Sequence, residues 1–175
     1  MPPWKTLNYN LDPLVKQRLV AMHHAGAYEY VDIVFTGNYR GREFKNRDVG
    51  LDFGYFDYKL VPGLEKDLSN LLDLVTPENI SVVTHAPGES SHPHVDSYKF
   101  LQGSTRHCSI IFPLTPKKEY YTPTLINPGG IKVPYSDCYL LNTDVEHWVK
   151  NNEHWRVNLQ IWFKETFDEI ANIVN

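Results

Sequence analysis

Two neighbouring residues, His94 and Asp96, and a third far along the chain, His147, combine in type and spacing to suggest metal chemistry. In an extended chain, side chains at i and i+2 leave the same face. His94 and Asp96 then bring an imidazole and a carboxylate to one point, while Val95 turns away. A third ligand from a distant strand closes one face of a metal ion and leaves the opposite positions open. Two histidines and one carboxylate so arranged are the donor set of non-haem Fe(II) sites that take up oxygen. Arg156 follows His147 inside an alternating run, WRVNLQIWF. A guanidinium there suits the carboxylate of an acidic cosubstrate, since a bidentate pair is directional and strong when partly buried.

Each residue also has a plainer role. Asp96 caps a turn, His94 lies on the surface of a polar loop, His147 is half-buried beside Trp148, and Arg156 pairs with Glu146 or Glu153. Taken singly, these roles are the commoner ones. Taken together, at these spacings and in a region that reads as β, the four favour the metal site. Strand alternation puts Arg156, Asn158 and Gln160 on one face and Trp155, Val157, Leu159 and Ile161 on the other. Asn158 therefore shares the pocket of Arg156. Arg106 is a second candidate for binding an anion. His92 precedes Pro93, His154 is one residue off the face set by Arg156, and His107 alternates away from Arg106. None of these three joins the site.

The elements that must position these residues come in order along the chain. Residues 1–10 read as an extended edge segment. Asp12-Pro13 is an N-cap followed by proline at the first helical position. Leu14, Val15, Leu19 and Met22 continue a helix that Gly26 stops. His23 and His24 fall in its last turn, where they interact favourably with the helix C-terminus. YEYVDIVF (28–35) reads as a strand. The polar, basic stretch 36–50 is a long loop, of a length often used for binding. LDFGYFDYKL (51–60) alternates in part and reads as a strand. Pro62 opens a second helix with Leu64, Leu68, Leu71, Leu72 and Val75 on its apolar face, and Thr76-Pro77 ends it. Strands follow at 80–84, 106–114, 124–127, 137–142 and 155–163, with a turn at Pro128-Gly129-Gly130. Residues 164–175 form a short helix. Two helices followed by closely spaced strands indicate helices packed on a β-sandwich or barrel.

At 175 residues the chain suits one domain with a core of its own. We expect 1–78 to pack on a metal-binding core of 79–163, with 164–175 as a tail. The net charge of −4, with signs interspersed, offers no electrostatic footprint for nucleic acid or an anionic membrane. No apolar run approaches the ~20 residues that span a bilayer, and no signal peptide is evident. The two cysteines, Cys108 and Cys138, make no disulfide framework, and a reducing cytoplasm is the simpler setting.

The run HAPGESSHPHVD resembles the segment around the first two iron ligands of 2-oxoglutarate- and Fe(II)-dependent dioxygenases. In the prolyl hydroxylase branch that segment reads roughly Tyr-x-x-Gly, five more residues, then His-x-Asp, and the interval from Gly88 to His94 fits without a gap. YSDCYLLNTDVEHWVKNNEHWRVNLQIWF is similar to the end of the same fold: a strand, the distal histidine, then a strand bearing the arginine that binds the far carboxylate of 2-oxoglutarate. RHCSIIFPLTP, with that ending, also resembles the aspartyl/asparaginyl β-hydroxylase branch, where a basic residue on the strand after the first ligand helps hold the cosubstrate. That branch often lacks the carboxylate ligand, whereas Asp96 is present here. The resemblance covers residues 80–163, and nothing in 1–79 matches it.

The resemblance implies a mainly β protein with flanking helices, a double-stranded β-helix of the cupin-like jelly-roll kind. His94, Asp96 and His147 would bind Fe(II), and Arg156 the C5 carboxylate of 2-oxoglutarate, with Arg106 and Asn158 as further cosubstrate-binding residues. No catalytic residue beyond the metal ligands is implied. His85 stands where many relatives carry tyrosine, so it either hydrogen-bonds the cosubstrate or is structural. With oxygen, the implied reaction yields succinate, carbon dioxide and a hydroxylated amino acid, peptide side chain or small metabolite. Arg40, Arg42, Lys45 and Arg47 hint at an acidic substrate, though a solvated basic loop reads the same way. Two rivals remain: a cupin-type metal protein that does not use 2-oxoglutarate, and a jelly-roll binding module without catalysis.

Overall fold

The computed structural model describes residues 1–31, 34–35, 44–45, 52–96 and 106–175. Most of the 36–50 loop, with Arg40, Arg42 and Arg47, lies outside the described residues.

Twelve strands are described. They are β1 (Trp4–Thr6), β2 (Glu29–Val31), β3 (Val34–Phe35), β4 (Phe44–Lys45), β5 (Asp52–Tyr55), β6 (Asn79–His85), β7 (Cys108–Pro113), β8 (Leu125–Ile126), β9 (Ile131–Lys132), β10 (Tyr139–Asn142), β11 (His147–Trp148) and β12 (Arg156–Phe163). The helices are α1 (Pro13–His24), α2 (Leu64–Leu72) and α3 (Phe167–Ala171). A seven-stranded antiparallel sheet runs β1-β10-β7-β12-β6-β5-β2 and faces a smaller sheet, β11-β8-β9. β3 and β4 form a separate two-stranded ribbon. The result is a mainly β jelly roll, the double-stranded β-helix expected from the sequence.

β12 is the spine of the large sheet, pairing with β6 on one side and β7 on the other. Its alternation divides two environments. Val157, Leu159, Ile161 and Phe163 join a core with Val15 and Leu19 of α1, Leu64, Leu68 and Leu71 of α2, and Phe167 and Ile170 of α3. The helices thus cover the outer face. The inner face looks toward the small sheet, where Ile111, Leu141, Ile126 and Val133 form a second cluster. The site lies on this inner side.

Local chemistry explains most element ends. The Asp12 side chain accepts from Leu14 N at 2.8 Å and caps α1. Asp67 of α2 accepts from Asp12 N at 2.8 Å, tying the two helices together. α3 begins with a capping box of Thr166 and Glu169. Its C-terminal end is held by Lys5, whose Nζ donates to the carbonyls of Ala171 and Val174 at 2.7 Å each.

Some boundaries differ from expectation. Leu14 is exposed, because on a helix it lies a quarter-turn from the Val15–Leu19 stripe. α2 starts after Gly63 rather than at Pro62: Gly63 takes φ +89°, a left-handed turn that brings the chain into the helix. The 51–60 strand ends at Tyr55, and Tyr58–Leu60 is a 3-10 turn capped by Asp57. β9, of two residues, is too short to leave a periodic signal.

Gly54 is required by close packing. A Cβ there would stand 2.8 Å from Tyr28 Cβ, and Tyr28 is pinned by its hydroxyl to the Leu19 carbonyl at 2.5 Å. Gly54→Ala is expected to lose about 1–3 kcal/mol of stability through overpacking, read as a lower melting temperature.

Candidate metal centre

The segment 90–96 crosses the mouth of the barrel antiparallel to β11. Ser91 N donates to Val149 O at 2.9 Å, His94 and His147 exchange both backbone hydrogen bonds (3.0 and 2.9 Å), and Asp96 N donates to Thr143 O at 2.8 Å. The ladder makes isolated bridges at Ser90–Lys150 and His94–His147 rather than a continuous strand. That suffices to place His94 and Asp96 on one face, as their spacing predicts. His147 opens β11, and its backbone pairing with His94 sets the two rings side by side, centroids 4.5 Å apart.

The donor atoms converge. Asp96 Oδ1 is 3.3 Å from His94 Nε2 and 3.6 Å from His147 Nε2. Among the described residues, His94, Asp96 and His147 are the group of His, Cys, Asp or Glu whose ligand atoms gather closely enough for one ion, within 4.8 Å of one another. His94 Nδ1 is 2.6 Å from the His92 carbonyl and His147 Nδ1 is 2.8 Å from the Val145 carbonyl. A carbonyl only accepts, so both Nδ1 atoms carry hydrogen and both Nε2 lone pairs point at the shared position. Such backbone anchoring fixes the tautomer a metal ligand needs.

Electrostatics at the three residues follow from burial and from each other. For His147, burial outweighs the pull of Asp96, and with His94 and Arg156 nearby its pKa falls to about 4. Burial also disfavours charge on His94, but the hydrogen bond and charge of Asp96 raise its pKa overall. Burial works to raise Asp96, yet the adjacent His147, His94 and Arg106 hold it below the usual carboxylate range.

The three line a small pocket of about 40 Å³ with Arg156, His85 and Thr124 at one end and Ser109, Thr143 and Gln160 beyond. Arg156 is 2% exposed. It makes no ion pair with Glu146 or Glu153; Glu146 instead accepts from Asn127. Its Nε donates to Thr122 O at 2.8 Å, and its Nη2 to Tyr121 Oη and Thr124 Oγ1 at 3.0 Å each. Asn158, fully buried, directs its Oδ1 to Arg156 Nη1 at 2.8 Å and its amide to Val157 O at 3.1 Å. Asn158 therefore braces the arginine from within the sheet.

Arg106 is not brought to Arg156. Its guanidinium lies 4.0 Å over the Trp162 ring and 5.9 Å from that of Phe53. Trp162 is six residues beyond Arg156 on β12, or about 20 Å at strand rise. His107 pairs with Asp144 at 3.0 Å, and His154 stacks on Tyr120, centroids 3.9 Å apart; both stay outside the site, as expected. His23 bonds Tyr30 at 2.6 Å and packs against Trp155.

Sequence reasoning missed Tyr121, Thr124 and Tyr139. Their hydroxyls form a cluster under Arg156, with Tyr139 Oη 3.1 Å from Tyr121 Oη and 3.3 Å from Thr124 Oγ1. Alternation on 124–127 could have pointed Thr124 inward, but nothing local links it to β12.

No family model matches the sequence, and no curated protein matches it. Solved structures do match in fold. A prolyl-4-hydroxylase of Pseudomonas putida superposes with a TM-score of 0.59 at 14% identity, covering 93% of each chain. A prolyl hydroxylase of Trichoplax adhaerens, in complex with a hypoxia inducible factor peptide fragment, gives 0.61 at 14% identity over 99% of this chain and 87% of that one. The viral collagen prolyl hydroxylase of Paramecium Bursaria Chlorella virus-1, in a 2-oxoglutarate complex, gives 0.54 at 11% identity over 91% and 94%. The chain therefore shares the fold of these prolyl hydroxylases. Both cysteines are free and buried, and no helix among the described residues is long and apolar enough to cross a membrane.

Proposed function

We propose that the protein is a 2-oxoglutarate- and Fe(II)-dependent oxygenase that hydroxylates an amino acid, a peptide side chain or a small metabolite. The observation that carries this reading is the convergence of two Nε2 lone pairs and one carboxylate on a pocket that a buried arginine also lines. The donor set fits Fe(II): two imidazoles and a carboxylate leave other coordination positions toward the pocket. When bound, iron with 2-oxoglutarate and oxygen supplies the oxidising power, the cosubstrate being split to succinate and carbon dioxide as one oxygen atom enters the substrate.

The chain's own residues bind, orient and exclude water. The carbonyls of His92 and Val145 hold the imidazoles in the metal-binding tautomer. Asp96 supplies negative charge at the metal, with Arg106 steadying it as an anion. Arg156, braced by Asn158, faces the far carboxylate of the cosubstrate. Ile111, Leu141 and Val149 make the walls apolar. Free buried thiols at Cys108 and Cys138 suit the cytoplasm.

The test is succinate formation from 2-oxoglutarate by the purified protein with Fe(II), ascorbate and oxygen. Oxygen-dependent succinate is the expected result. Its absence, together with no binding of Mn(II) and 2-oxoglutarate, would remove the oxygenase reading and favour the binding module. Arg106→Ala is expected to change 2-oxoglutarate affinity by no more than about twofold, well under the 1.4 kcal/mol that a decade represents. A tenfold loss would return Arg106 to the cosubstrate.

A further inference from the structure

His85 is the last residue of β6 and lies opposite Arg156 in the β6–β12 register. Both side chains line the pocket. The imidazole is 2% exposed, and neither ring nitrogen has a hydrogen-bond partner. Buried polar groups are normally paired, so the N–H of a buried ring that lines a pocket calls for an acceptor there.

Arg156 indicates the same acceptor. A guanidinium has five N–H donors. One from Nε, two from Nη2 and one from Nη1 are engaged by Thr122, Tyr121, Thr124 and Asn158, which makes four of the five. The remaining Nη1–H reaches one carboxylate oxygen. The two-pronged arginine contact expected from the sequence is thus not on offer, and the second oxygen of a carboxylate needs another donor. Burial, with Arg156 and His94 nearby, keeps His85 neutral, so it carries one N–H.

We infer that His85 completes the carboxylate anchor: its ring N–H and the last Nη1–H of Arg156 each take one oxygen of the far carboxylate of a 2-oxo dicarboxylate. The inference rests on the oxygenase reading and names a residue that selects the cosubstrate. His85 and Arg156 project from paired positions on adjacent strands, about 5 Å apart at the backbone, a spacing that matches two donors to one carboxylate. The Thr124 hydroxyl lies at the same end of the pocket.

The experiment measures the Kd of the full-length, Mn(II)-loaded protein for 2-oxoglutarate and for 2-oxopentanoate, in which a methyl replaces the far carboxylate. His85→Leu is expected to weaken 2-oxoglutarate at least about tenfold, as for loss of one hydrogen bond to a charged group, and to leave 2-oxopentanoate within about twofold. His85→Gln keeps an N–H donor and is expected to recover most of the loss. His85→Phe keeps a ring without a donor and replaces His85→Leu if that variant does not fold. Mn(II) affinity and melting temperature report whether each variant retains the site. Unchanged 2-oxoglutarate binding in the donor-free variant, or an equal loss for both acids, overturns the inference while leaving the oxygenase reading intact. A wild-type protein that binds neither acid removes that reading, and this one with it.

Discussion

His147→Ala is expected to lower Mn(II) affinity by more than about a hundredfold, beyond the 10–100-fold typical of losing a residue that merely supports a ligand. Succinate formation should fall to background. His147 is buried with a pKa of about 4, so at neutral pH its lone pair is free for a metal. Its Nδ1–H is already committed to the Val145 carbonyl. Alanine removes the ligand without leaving a charge stranded, and Asp96 keeps His94 and Arg106 as neighbours. The variant should therefore stay folded, with a melting temperature close to that of the metal-free wild type. Mn(II) titration followed by electron paramagnetic resonance gives the affinity directly. Binding at the wild-type level would show that His147 is not a ligand.

Arg156→Leu should lose both cosubstrate and stability. The carbonyl of Thr122 and the hydroxyls of Tyr121 and Thr124 would lose their charged donor, and Asn158 its partner. Each buried polar group left without its partner costs about 1–3 kcal/mol. The 2-oxoglutarate affinity should fall at least about a hundredfold, or roughly 2.8 kcal/mol at 1.4 per decade. Thermal melts separate the two effects. With Mn(II) present, 2-oxoglutarate at a hundred times its Kd should stabilise the wild type by about 2.7 kcal/mol and leave the variant unmoved. A variant that melts early yet still gains from 2-oxoglutarate would confine Arg156 to a structural role. Arg156→Lys keeps the charge but not the planar fork, and is expected to recover less than half of either loss.

Both variants act on residues that were legible from sequence for local reasons. The His94–Asp96 pair is an i, i+2 relation, and β12 announces its two faces by strict alternation of Val157, Leu159 and Ile161 with Arg156, Asn158 and Gln160. α1 was marked by Asp12-Pro13, and α2 by its leucine stripe. The least legible elements were the short ones. β8, β9 and β11 have two residues each, too few for any period, and they exist because neighbouring backbone lends them hydrogen bonds.

The chain's own order of residues determined which groups were available: two histidines and a carboxylate for a metal, an arginine on the inner face of the last long strand, and helices with one apolar side to cover a sheet. What each group meets was decided only by the tertiary structure. His94 and His147 become neighbours through backbone pairing between segments far apart in sequence. The donors of Arg156 are consumed by Tyr121, Thr124 and the Thr122 carbonyl, more than thirty residues upstream. Arg106 and Arg156 share an inner face yet stand at opposite ends of it. Alternation along a strand assigns a side chain to a face, because the pleat has a period of two. Its partners across the barrel depend on register and on sheet closure, and these are set by the packing of the whole chain.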